Sequence, residues 1–66
     1  LTSLLPVGIE TVEGRFNAGD VIRIYDDNGR VLGCGRTRYD HSEARSLIGK
    51  RGQKPLIHYD YLYIVD

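Results

Sequence analysis

The chain has 66 residues, nine Lys or Arg against nine Asp or Glu, a single cysteine and no methionine. That length holds one domain at most, and a domain this small buries only about 60% of the surface its unfolded chain exposes. The lone Cys34 excludes an internal disulfide and a zinc site built from cysteines, and no apolar run approaches the roughly 20 residues that cross a bilayer as a helix.

No signal-peptide pattern opens the chain, and with one cysteine a cytoplasmic setting is expected, with no membrane partner. A natural translation product normally starts with Met. Its absence leads us to expect a piece of a longer protein, with residues 1–66 forming a single domain. Charge is uneven along the zero-net chain: −3 over residues 1–29, +5 over residues 30–58 and −2 over the tail from Tyr59. A solvated mixed-charge surface explains this most simply. The alternative is an anionic partner for the middle segment.

Leu4-Leu5-Pro6-Val7-Gly8-Ile9 is an apolar run broken by Pro and Gly. Proline cannot donate to a ladder, so this piece reads as an edge strand or a strand end. Ile9 to Gly14 is a short strand candidate with Glu10 and Glu13 towards water. Phe16, the single phenylalanine, reads as core. Asn17-Ala18-Gly19 is a turn in which Gly19 takes positive φ. Val21, Ile22, Ile24 and Tyr25 then favour a pleated, half-buried strand. Asp26-Asp27-Asn28-Gly29 interrupts the run, and Asn-Gly between apolar segments is a strong hairpin signal because both residues tolerate positive φ. Val31 and Leu32 resume the strand. Gly33 and Gly35, either side of Cys34, predict a bulge or a close backbone approach.

After Tyr39 the period changes. Asp40 is a good N-cap, with Glu43 three residues on. Ala44, Leu47 and Ile48 share one helical face, and Gly49 stands at the C′ position. Two turns of helix are too short to persist without packing. Lys50 to Pro55 is a basic loop. Leu56-Ile57 opens a new apolar run, and Tyr61 to Val65 closes the chain as an aromatic and β-branched strand. The expectation is a mainly β fold: a small mixed pseudo-barrel of about five to six short strands with one short helix, closed because closure removes sheet edges.

Ser3-Leu4-Leu5-Pro6-Val7-Gly8-Ile9, followed by Val12-Glu13-Gly14-x-Phe16-x-x-Gly19-Asp20-Val21-Ile22-Arg23-Ile24, resembles the PUA domain at the C-terminus of glutamate 5-kinases. Asp27-x-Gly29-Arg30, Gly35 and the closing Ile57-His58-x-Asp60-x-Leu62 fit the same pattern. Gly-Asp followed by alternating apolar residues is common to PUA domains. The Leu-Leu-Pro-x-Gly opening joined to Val-Glu-Gly-x-Phe and Ile-His-x-Asp is more specific to the kinases. The resemblance covers nearly the whole chain and implies a small β pseudo-barrel. It also implies a parent enzyme that uses ATP and Mg²⁺ to phosphorylate the γ-carboxyl of glutamate in proline biosynthesis. The catalytic residues would lie in an upstream amino-acid kinase domain, the expected partner alongside a homo-oligomer of the parent. The chain departs from that pattern in one respect: the segment between Gly49 and Ile57 is shorter than the family usually carries.

No catalytic, cofactor-binding or metal-ligating set stands out. His41 and Ser42 are adjacent, and neighbours on a helix do not face each other. His58 and Asp60 suit a structural role at a strand end. Cys34, in an apolar strand, reads as a quiet core thiol. Asp26-Asp27-Asn28 lacks the spacing of a calcium loop, and Gly49-Lys50-Arg51-Gly52 lacks the order of a phosphate-binding loop. The tyrosines of the last strand read as core and rim packing. Two functions remain. One is a non-catalytic accessory domain of a glutamate 5-kinase, with no cofactor in this segment. The other is an RNA-binding module using segment 36–54, with Arg36, Arg38, Tyr39, Arg45, Lys50, Arg51 and Lys54 as candidate contacts. RNA readers pair basic grooves with aromatic platforms, whereas a near-neutral pI is not their usual footprint.

Overall fold

In the computed structural model, which describes residues 3–65, two strands joined by a tight turn form the centre. β1 (Val21–Tyr25) and β2 (Val31–Arg36) pair antiparallel, with Ile22 opposite Gly35 and Arg23 opposite Cys34. Alternation along β1 leaves Val21, Arg23 and Tyr25 exposed while Ile22 and Ile24 turn towards the core. The turn is built by Asp26. Its Oδ1 accepts from the backbone N–H groups of Asn28 (2.8 Å) and Arg30 (2.9 Å), while the Gly29 N–H donates to the Asp26 carbonyl at 3.0 Å. Gly29 alone takes positive φ, at 81°, and Asn28 does not. The connection is therefore a three-residue loop with a glycine bulge instead of a two-residue Asn-Gly turn, and the strand register shifts between Ile24 and Tyr25.

A third strand, β3 (Leu62–Ile64), pairs antiparallel with β2 and completes an open sheet of order β1-β2-β3. The mainly β class holds, but the described residues form three strands where the sequence predicts five to six. Leu4 contributes a single bridge to Ile57, and Pro6–Gly8 forms a 3₁₀ turn. Residues 9–14 run without a ladder. Arg45 holds that segment instead, its guanidinium donating to the carbonyls of Val12 (Nε, 3.1 Å) and Gly14 (Nη2).

The helix, α1 (His41–Leu47), starts where the sequence puts it. Asp40 Oδ1 accepts from the Glu43 N–H at 2.8 Å. Gly49 takes φ 74° beyond its end, and its N–H donates to the Pro6 carbonyl at 2.9 Å. Ala44 faces inward against Leu56 and Ile57. These three form the buried hydrophobic cluster, and half-buried Leu4, Ile9, Val12, Phe16, Ile22, Ile24, Tyr39 and Leu62 pack around it.

Tyr61 and Tyr63 do not belong to that core. They are exposed, because the pairing that sends Leu62 inward places Tyr63 opposite Cys34 on the outer face of the sheet. Cys34 accordingly lies half-buried on that outer face, beside Arg23 and Tyr63, and not in the core.

Candidate anion-binding site

Where β2 ends, Arg36 and Arg38 are exposed on either side of the buried Thr37. Thr37 is 2% exposed. Its hydroxyl donates to the Tyr39 carbonyl at 2.9 Å and accepts from the Tyr39 N–H at 3.2 Å, which satisfies the buried oxygen.

The second wall comes from the far end of the sequence. The Arg38 N–H donates to the Leu56 carbonyl at 2.7 Å, which lays the two segments side by side. Ile57, fully buried, anchors the next residue. His58 caps a 3₁₀ turn, Tyr59–Tyr61, its Nδ1 accepting from the Asp60 N–H at 3.1 Å. Such a turn has three residues per revolution, so His58 and Tyr61 stack in one column, with ring centroids 6.3 Å apart. The Arg36 guanidinium lies 5.4 Å from the Tyr61 ring centroid, within cation–π range. Arg36, Thr37, Arg38, His58 and Tyr61 thereby line an open notch of about 180 Å³.

The other candidate contacts divide. Tyr39 is half-buried, and its hydroxyl donates to the Lys54 carbonyl at 2.9 Å, so its ring is packing and not a stacking platform. Arg45 is committed to the carbonyls of residues 12 and 14. Lys50, Arg51 and Lys54 are exposed on the loop after α1 and do not line the notch. No Lys or Arg forms an ion pair among the described residues.

Neither histidine assembles a nucleophile–base pair. His41 Nδ1 accepts from the Phe16 N–H at 3.1 Å, and its ring meets Phe16 edge-on. His58 Nδ1 lies 3.6 Å from Asp60 Oδ2, and His58 acts as a cap. No group of three or more His, Cys, Asp or Glu side chains gathers in a metal-holding arrangement among the described residues.

Sequence reasoning named Arg36 and Arg38 but not their partners. The signal present was the His58-x-x-Tyr61 spacing, which acquires meaning only once residues 59–61 are known to form a 3₁₀ turn.

Residues 2–59 match the family model described as the PUA domain. The chain belongs to the PUA domain family. Among curated relatives, this PUA domain is 55% identical to a protein of Chlorobaculum tepidum named glutamate 5-kinase, over 97% of its own length and 18% of the relative's. A glutamate 5-kinase of Bacteroides thetaiotaomicron is 50% identical over 94% of the domain and 17% of the relative. One of Caulobacter vibrioides is 39% identical over 94% and 19%. The domain thus spans less than a fifth of each relative. The Caulobacter alignment runs over 72 positions against 66 residues here, so that relative carries residues this chain lacks, whereas the Chlorobaculum alignment covers 64 positions, 97% of this chain.

Proposed function

We propose that this PUA domain is the non-catalytic accessory part of a glutamate 5-kinase, the enzyme class that phosphorylates glutamate in proline biosynthesis. The observation that carries the reading is a near end-to-end match, up to 55% identical, to enzymes of which the domain makes up under a fifth. In this reading ATP and Mg²⁺ bind an amino-acid kinase domain of the same protein. The domain would tune the kinase through contacts between domains or through assembly of an oligomer. No helix of the described residues is long and apolar enough to cross a membrane, which is compatible with the cytoplasmic setting proposed for the enzyme. Incubated with glutamate, ATP and Mg²⁺, the 66-residue chain is expected to make no glutamyl phosphate. Turnover by the chain alone would overturn the accessory assignment.

A second reading, RNA binding through segment 36–54, has exposed Lys50, Arg51 and Lys54 in its favour. Against it, Tyr39 and Arg45 are committed to backbone carbonyls. If this reading holds, structured RNA binds at low salt, binding falls steeply as salt rises, and Arg51→Glu with Lys54→Glu abolishes it. Binding indifferent to both charge reversals would contradict it.

A further inference from the structure

We propose that the notch between the end of β2 and the 3₁₀ turn Tyr59–Tyr61 seats the phosphate group of a small phosphate monoester. This goes beyond the accessory reading and does not depend on it.

Three donors converge on one concave place. Arg36 and Arg38 are exposed cations that line the same notch, and neither forms an ion pair among the described residues. The third donor is His58. Its Nδ1 accepts from the Asp60 N–H, so in the neutral ring the proton sits on Nε2, which is left to donate to an anion. The acidic group facing this patch is Asp60, whose Oδ2 lies 3.6 Å from Nδ1. The walls are held from behind. The Arg38 backbone is bonded to Leu56, His58 follows the fully buried Ile57, and the Tyr61 ring supports the Arg36 guanidinium. A site on fixed backbone needs little reorganisation to bind.

The chemistry selects a phosphate group. Two guanidinium forks match the near-double negative charge and multiple oxygens of a monoester, and guanidinium is the side chain best shaped to bind them two at a time. A carboxylate offers one charge and two oxygens and leaves one arginine unmatched. A polynucleotide would need a track of several cations along its backbone. Among the other basic residues of segment 36–54, Arg45 is tied to the segment 12–14, and Lys50, Arg51 and Lys54 do not line the notch. The volume of about 180 Å³ suits a phosphate and the few atoms attached to it.

The test is an amide NMR titration of the 66-residue chain with inorganic phosphate, phenyl phosphate, acetate, and an RNA hexamer lacking terminal phosphates. The proposal predicts saturable shifts from both phosphates, centred on residues 36–38 and 58–61, with acetate at equal concentration leaving them in place. Arg36→Gln with Arg38→Gln weakens phosphate at least tenfold. His58→Asn keeps an acceptor for the Asp60 N–H, removes the Nε2 donor and weakens phosphate by a smaller factor. Arg15→Gln with Arg30→Gln removes the same charge elsewhere and leaves the affinity unchanged. All three variants alter half-buried or exposed side chains, and dispersed spectra confirm that they fold. The proposal is overturned by shifts that do not saturate, by equal loss in the notch and control variants, by acetate binding as well as phosphate, or by the RNA displacing phosphate at lower concentration than phenyl phosphate does.

Discussion

Gly35 is one of two places where the backbone of β2 passes hard against the rest of the domain. A Cβ added there would meet Ile57 Cγ2 and the Tyr61 carbonyl oxygen, each at 2.6 Å. Gly33 is more tightly enclosed still, against the Tyr63 carbonyl oxygen. A residue with a side chain at either place forces the sheet away from its neighbours, and overpacking of this kind costs about 1–3 kcal/mol. Gly19 is different. It has φ 95° with open space where a Cβ would go, so its requirement is conformational. In urea unfolding, Gly35→Ala is expected to lower stability by about 2 kcal/mol. Gly19→Ala is expected to lower it by about 1 kcal/mol, and Gly19→Val by more, because β-branching resists positive φ further. Equal stability of the Gly19 variants and the parent would contradict the turn assigned to residues 17–20. Both glycine roles were readable in the sequence, one from the Asn-Ala-Gly-Asp turn and one from the Gly-x-Gly spacing. That Asn28 would keep negative φ was not, because the choice between a two-residue and a three-residue loop lies with Asp26, which bonds the N–H groups of both Asn28 and Arg30.

α1 is seven residues long and could not persist alone, so its N-cap and its packing carry it. Asp40→Ala removes the acceptor of the Glu43 N–H and is expected to lower stability by about 1 kcal/mol, read as a lower midpoint in the same urea series. Arg45→Met keeps the bulk of the side chain while releasing the carbonyls of Val12 and Gly14. Faster amide exchange over residues 12–16, with α1 itself protected, is the expected result, and unchanged exchange would show that the clamp is not what holds the segment. The helix and the β1–β2 hairpin were legible because their signals are local: a cap, a period, a turn. The segment 9–14 was misread as a strand because alternating residues describe a strand's faces, not its neighbour, and no strand lies beside it to pair with. Tyr61 was read as the first residue of the last strand, but it ends a 3₁₀ turn and the strand begins at Leu62. The aromatic run from Tyr61 looks extended, but the cap provided by His58 Nδ1 winds residues 59–61 into the turn.

At the scale of the whole molecule, the sheet stays open where closure was expected, so Val21, Tyr25 and Tyr63 face outward at 53–70% exposure. The charge asymmetry that singled out residues 30–58 was visible from the start. Which of its seven candidate contacts converge was not, since Arg36 and Arg38 meet His58 and Tyr61 through the pairing of β2 with β3 and of Arg38 with Leu56, segments far apart in sequence. The central claim is that this domain serves a glutamate 5-kinase without performing its chemistry. The Chlorobaculum tepidum enzyme, 55% identical over the matching segment, offers the most direct measurement. Its rate of ATP-dependent glutamate phosphorylation would be compared in three forms: intact, with that segment replaced by these 66 residues, and with the segment deleted. We expect the chimera to match the intact enzyme, and the deletion form to keep turning over with an altered KM or oligomeric state. A deletion form that remains folded by circular dichroism yet has no turnover would contradict the account.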